Sequence, residues 1–201
     1  FLNWPTISIA MIAIVLEVFS TGGLHLDGLM DTADGLAAGK ERCLEAMGDS
    51  RVGAIGVLTL VVVMFIQVAS LLKLDSFAPI VFPITAFWSR SAPLWAIGKF
   101  SYLPKDGSAS FHRRYSKGWN EAIPAFIALF IILGLFTFIP IDQINNSLLI
   151  FGLGMGIAPT LLVPELLGRR LGGHSGDSYG ASIVLVQTIM FFLLAMVFRA
   201  G

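Results

Sequence analysis

Charge is what this chain has least of. Only 13% of its 201 residues are Asp, Glu, Lys or Arg, and the 13 acidic and 13 basic residues cancel. A nucleic-acid binder would carry a basic excess or a basic stripe; no such excess is present, and no nucleic-acid partner is expected. Cysteine is almost absent as well. Cys43 stands alone, which excludes an intrachain disulfide and the paired cysteines of a zinc site. Long polar linkers and low-complexity tracts are also missing, so residues 1–201 read as a single domain.

What the chain has in quantity is apolar sequence, at 56% of its residues. A spanning helix needs about 20 mostly apolar residues. Six runs approach that length, at about 4–20, 52–72, 77–98, 122–140, 147–163 and 181–198. The first and fifth are short, and the third contains Pro79, Pro83, Pro93 and Arg90. Proline in a helix interior removes a hydrogen bond and crowds the preceding turn, so that third span is expected to be kinked or broken. A soluble all-α protein would need more polar surface than six such runs leave. The expected fold class is therefore all-α: a polytopic integral membrane helical bundle with about six transmembrane helices.

Lysine and arginine set the expected orientation. The segments 21–51, 99–121 and 164–180 carry Lys40, Arg42 and Arg51; Lys99, Lys105, Arg113, Arg114 and Lys117; and Arg169 and Arg170. The intervening connections offer only Lys73, and the C-terminal end only Arg199. Positive charge gathers on the cytoplasmic side, which places the three rich segments there as loops. They also hold all three histidines and the densest glycine clusters.

The stretch "GGLHLDGLMDTADGL", residues 22–36, sets Asp27, Asp31 and Asp34 among leucines and glycines with no lysine or arginine inside it. On a helix these three lie within about 60° of one another. Like charges on one face repel, and more strongly beside a low-dielectric bilayer. A hard divalent cation answers that repulsion: Mg²⁺ prefers carboxylate oxygens and commonly bridges to substrate phosphates. The bland reading is a solvated acidic loop at the membrane surface.

Five other features carry chemistry. Asp49, Ser50 and Arg51 precede the second span; Asp49 fits a fourth metal ligand and Arg51 a phosphate contact, while the same Asp-Ser pair fits a helix N-cap. Arg90 lies deep in an apolar run, where a cation is expensive and usually functional, and either neutralises the carboxylates, reaches a phosphate or snorkels. Glu17 raises the same choice between snorkelling, helix contact and catalysis. The segment 102–118 is basic and aromatic, suited to an anionic substrate or to lipid headgroups. In "RRLGGHSGDSYGAS", residues 169–182, the glycines look like a phosphate-cradling loop before a helix, with His174 and Asp177 available as a base or ligand. Carboxylates, a metal and arginines together suit phosphoryl transfer. An ion-coupled transporter is the alternative, with Glu17 and Arg90 as its charges and the interrupted third helix as its site.

"TGGLHLDGLMDTADGL" (21–36) and "ERCLEAMGDSRVGAIG" (41–56) resemble the signature of the cobalamin synthase family, the adenosylcobinamide-GDP ribazoletransferases. The resemblance continues through Arg90, "YLPKDG" and "GGHSGDSYGA" (172–181), and so spans nearly the whole chain. It implies an Mg²⁺-dependent enzyme of the bacterial or archaeal cytoplasmic membrane, multi-pass, with its active site facing the cytoplasm. Its reaction joins adenosylcobinamide-GDP to α-ribazole or its 5′-phosphate and releases GMP. The resemblance makes Asp27, Asp31, Asp34 and Asp49 the metal and catalytic cluster. It gives Arg51 and Arg90 to the pyrophosphate, His25 to orientation, and Gly176 and Asp177 to the same cytosolic mouth. Expected partners are the two substrates and membrane lipid, with other cobalamin-assembly enzymes or a second copy of the chain as further candidates. Family members carry an additional N-terminal segment of a few tens of residues, so a chain starting at Phe1 is expected to be a fragment. The chain departs from the family at Gln67, where a lysine is usual, and at Val184 and Gln187, where glutamates are usual.

Overall fold

The computed structural model describes residues 4–103 and 146–198, with isolated positions between 115 and 134. The expected span at 122–140, and the basic segment with Lys105, Arg113, Arg114 and Lys117, lie outside the described residues apart from those isolated positions. The described elements are helices: α1 (Thr6–Ser20), α2 (Leu24–Ala37), α3 (Cys43–Met47), α4 (Ala54–Leu74), α5 (Ala78–Lys99), α6 (Asn146–Met155), α7 (Ile157–Leu171) and α8 (Gly176–Val197). No strand forms among the described residues; the one extended contact is an isolated bridge between Tyr102 and His174.

Three helical runs among the described residues are long and apolar enough to cross a membrane: Ala54–Lys99, Phe151–Leu171 and Gly176–Val197. The first has 46 residues, about 69 Å if straight, yet both its halves pack on the 22-residue α8. The chain must fold back between them. It does so at Asp75, whose φ of 43° is the one positive value at a non-glycine residue among those described. A fourth span is counted only if Ser8–Ser20 and Leu24–Ala37, bent 87° apart, are taken together. We read α2 as lying outside the spans: its 14 residues reach about 21 Å, short of the roughly 30 Å hydrocarbon core.

The third expected span is one continuous helix, not a broken one. Pro79 sits in its first turn, where no intrahelical N–H is needed. Pro83 and Pro93 lie inside it. The hydroxyls of Thr85, Ser89 and Ser91 donate to carbonyls of the preceding turn, and packing on α7 and α8 holds the remainder.

Direction follows from contacts. Phe82 meets Phe191 and Phe100 meets His174, so α5 runs antiparallel to α8. Thr160 bonds to the Trp88 carbonyl and Lys99 pairs with Glu165, so α7 runs alongside α5. The starts of α4 and α8 both touch α2, at Asp34 and Gly28, and therefore lie at one end. The element α8 is central: Ala181, Val186, Met190, Phe191 and Leu194 are fully buried along it. Apolar side chains also face outward, as with Leu16 and Phe19 on α1 and Leu58 and Phe65 on α4. An apolar exterior suits lipid and not water.

Two expected loops are mostly helical. In 21–51, Leu26, Leu29 and Leu36 recur at helical spacing and give α2 an inward apolar side. In 164–180, helix α7 runs on to Leu171 because Leu167 and Leu171 still face the core, and Arg169 pairs with Glu165 one turn back.

Candidate active site

Helix α2 lies across the N-terminal ends of α4 and α8. The crossing is close because glycines meet there. A Cβ added at Gly28 would stand 2.5 Å from the Asp177 carbonyl oxygen, and one at Gly180 would stand 3.2 Å from the His25 Cα. The two α8 glycines, Gly176 and Gly180, have the four-residue spacing that lets helix backbones approach. That spacing was readable in the sequence but did not stand out beside the acidic motif.

The crossing brings Asp177, in the first turn of α8, to the α2 face that bears Asp27 and Asp31. Burial, then the charges of Asp27, Asp177 and Asp34, push the Asp31 carboxyl up to about 6. Among the described residues, Asp34 alone of these four has short hydrogen bonds to another element. Asp177 accepts a long bond, 3.4 Å, from Ser175 and another from its own backbone N–H. No ion pair of the described residues involves Asp27, Asp31 or Asp177.

Asp34 has a different task. Its two carboxylate oxygens accept from the backbone N–H groups of Gly53 and Gly56, each at 2.8 Å. These are free donors at the start of α4, and the positive end of the helix dipole favours a carboxylate there. The expected cap, Asp49–Ser50, does not fill that position. Gly53 is the N-cap residue, without a side-chain cap of its own, and the capping group arrives from α2. Glycines at 53 and 56 are required because a Cβ at either would meet the Asp34 carboxylate. Asp34→Ala is therefore expected to cost about 2 kcal/mol of stability, read as a lower melting temperature in detergent. Asp34→Asn, with one acceptor oxygen for two donors, should fall between.

Asp49 and Arg51 are paired with each other. Arg51 Nη2 lies 2.6 Å from the Asp49 carboxylate and Arg51 Nε 3.0 Å from it. These bonds hold Asp49 at about 2. The Arg51 side chain is 88% exposed.

Arg90 does not reach the aspartates. It donates to Glu17 Oε1 at 3.0 Å and to Gln187 Oε1 at 3.3 Å, while Gln187 Nε2 donates to Glu17 Oε2 at 2.7 Å. His25 lies nearby; burial first and Arg90 second lower its pKa, against Glu17. Gln67, Val184 and Gln187 line one small cleft with Glu17, Thr21 and His25. Gln67 donates to Thr188 at 2.8 Å.

His174 is neither base nor ligand. It is fully buried. Nε2 lies 3.0 Å from the Pro164 carbonyl and Nδ1 2.9 Å from Ser178 Oγ. A carbonyl can only accept, so Nε2 carries the proton and a neutral Nδ1 accepts from Ser178; burial lowers the ring pKa and keeps it neutral. Of the neighbouring glycines, Gly173 serves packing, since a Cβ there would meet the Ser101 carbonyl, and Gly172 is the left-handed C-cap of α7. Helix α8 starts with its own capping box, Ser175 with Ser178, and Gly176 is its first residue.

Among the described residues, no three His, Cys, Asp or Glu side chains close around a common point. What the crossing presents is an open edge of carboxylates, Asp27, Asp31 and Asp177. That donor set fits Mg²⁺, which takes one or two protein carboxylates and fills its remaining positions with phosphate oxygens and water.

Comparison with known proteins gives a consistent picture. A family model described as cobalamin-5-phosphate synthase matches residues 1–196. The chain is 58% identical over 205 residues to a protein of Prochlorococcus marinus (strain MIT 9303) named adenosylcobinamide-GDP ribazoletransferase, covering 99% of this chain and 78% of that one. Relatives of the same name from Trichormus variabilis and Desulforamulus reducens are 31% and 35% identical, over 98% and 92% of this chain and 77% and 72% of theirs. No solved structure matches.

Proposed function

The chain belongs to the cobalamin-5-phosphate synthase family, and on that premise we propose that it joins adenosylcobinamide-GDP to α-ribazole or its 5′-phosphate at the carboxylate edge of α2. The reaction forms one bond and breaks one. A ribazole hydroxyl attacks the phosphorus attached to cobinamide, GMP departs with the electrons of the broken P–O bond, and the hydroxyl proton passes to a carboxylate.

The observation that carries this reading is the meeting of Asp27 and Asp31 with Asp177 across a glycine contact, without a cation among the described residues. One or two carboxylates of the Asp27, Asp31 and Asp177 edge would hold Mg²⁺, which would supply charge neutralisation for the diphosphate. Asp34 holds α2 against α4 and so keeps the edge in place. Arg51, exposed at the same end, is placed to exchange Asp49 for a phosphate oxygen. Arg42, Arg51, Lys99 and Arg169 cluster at that end, which supports a cytoplasmic orientation in the bacterial inner membrane.

The test is direct. Purified protein in liposomes is expected to release GMP from adenosylcobinamide-GDP only when α-ribazole, or its 5′-phosphate, and Mg²⁺ are both supplied. GMP release that ignores EDTA would remove the metal from the scheme, and release without a ribazole acceptor would make the protein a hydrolase.

A further inference from the structure

Glu17, Arg90 and Gln187 form a closed triangle in which each side chain bonds to the other two. They come from α1, α5 and α8, and Gln187 is only 3% exposed. Gln187 lies ten residues along α8 from Asp177, about 15 Å deeper. The triangle is thus separate from the carboxylate edge, and the reaction above does not use it. A cation at such depth is expensive unless paired.

Its place in the fold shows what it holds. Helix α1 buries only Ala10 and Ile14 among its described side chains. Apolar contacts hardly fix the rotation of a helix surrounded by lipid, because lipid tails offer the same surroundings. The triangle fixes it. Four residues beyond Glu17 the chain reaches Thr21, then turns through Gly22 and Gly23, at φ 60° and 75°, into α2. A rotation of α1 would pass through that elbow to Asp27 and Asp31.

We propose that Glu17, Arg90 and Gln187 are positioning residues: the triangle sets the α1–α2 elbow and thereby the approach of Asp27 and Asp31 to Asp177. This rests on the reading that the metal binds at that carboxylate edge.

An exchange of partners tests it. In Glu17→Gln the new amide can accept from only one of two donors, Arg90 or Gln187. In Gln187→Glu two carboxylates face each other. In the double variant Glu17→Gln with Gln187→Glu, every hydrogen bond can reform with donor and acceptor reversed along one edge. Two quantities are measured in detergent-solubilised protein: Mn²⁺ binding without substrate, by electron paramagnetic resonance, and the kcat and KM for adenosylcobinamide-GDP. Each single variant is expected to weaken Mn²⁺ binding and lower kcat by about tenfold, with KM changed less than about twofold, and the double variant to recover both. A double variant as impaired as the singles overturns the proposal. So does Arg90→Lys if it raises KM while Mn²⁺ binding stays unchanged, since Arg90 would then touch the diphosphate. Absence of Mn²⁺ binding or GMP release in the unaltered protein would instead overturn the metal reading itself, and this proposal with it.

Discussion

Asp31→Asn should release GMP at least about 10³-fold more slowly than the unaltered protein, while inserting and purifying normally. The same substitution should raise the melting temperature of metal-free protein by a few degrees near pH 7. The two effects share one cause. Asp31 is crowded by Asp27, Asp177 and Asp34, and its carboxyl is pushed up to about 6. A raised folded-state pKa means that the folded protein binds this proton more tightly than the unfolded chain does. The resulting stabilisation is complete below the ordinary value of 3.8 and disappears as pH rises through about 6. At neutral pH the charged side chain therefore opposes folding, by an amount that solvent screening keeps small. Asparagine removes that opposition together with the charge proposed to bind the metal. Loss of turnover with a raised melting temperature separates a site residue from a structural one. A lowered melting temperature would place Asp31 with the structural carboxylates instead.

Gly28→Val should have the largest effect on the fold. Its Cβ would stand 2.5 Å from the Asp177 carbonyl oxygen and 2.9 Å from the Asp177 Cα. Both are backbone atoms of a buried helix, so neither can rotate away. Overpacking of this kind costs about 1–3 kcal/mol even where side chains can adjust. Helix α2 must therefore lift from α8, carrying Asp27 and Asp31 away from Asp177. The expected result is a melting temperature lower by about 5–10 °C and GMP release that excess Mg²⁺ does not restore. Normal activity in this variant would mean that the contact between α2 and α8 does not build the site.

Much of the arrangement was legible in advance. The helical character and the membrane setting follow from the apolar runs, and α4, α5 and α8 stand within a few residues of their expected limits. The acidic motif was readable because three aspartates at helical spacing lack any local cation. What could not be read was the sorting of those aspartates. Sequence spacing treats Asp27, Asp31 and Asp34 alike; only the arrival of Gly53 and Gly56, about 20 positions away, gives Asp34 a structural role. Arg90 illustrates the same limit. A cation in an apolar run signals that a partner exists, but Glu17 and Gln187 are 73 and 97 positions distant. The glycines of 172–176 suggested a phosphate loop, whereas Gly172 is the left-handed C-cap of α7 and Gly173 admits the close approach of Ser101 and Leu103.

The 87° bend between α1 and α2 also bears on how the protein enters its membrane. During synthesis, each aspartate taken to the centre of the bilayer would oppose insertion by about 2.5–3.5 kcal/mol. Because the elbow turns the chain aside before Asp27, and α4 departs again only after Asp49, the acidic segment, in the cytoplasmic orientation proposed above, stays on the side where it was made. The translocation machinery is left to pass α4, whose one formal charge is Lys73 near its far end, and in that orientation the carboxylate edge reaches its place without crossing the hydrocarbon.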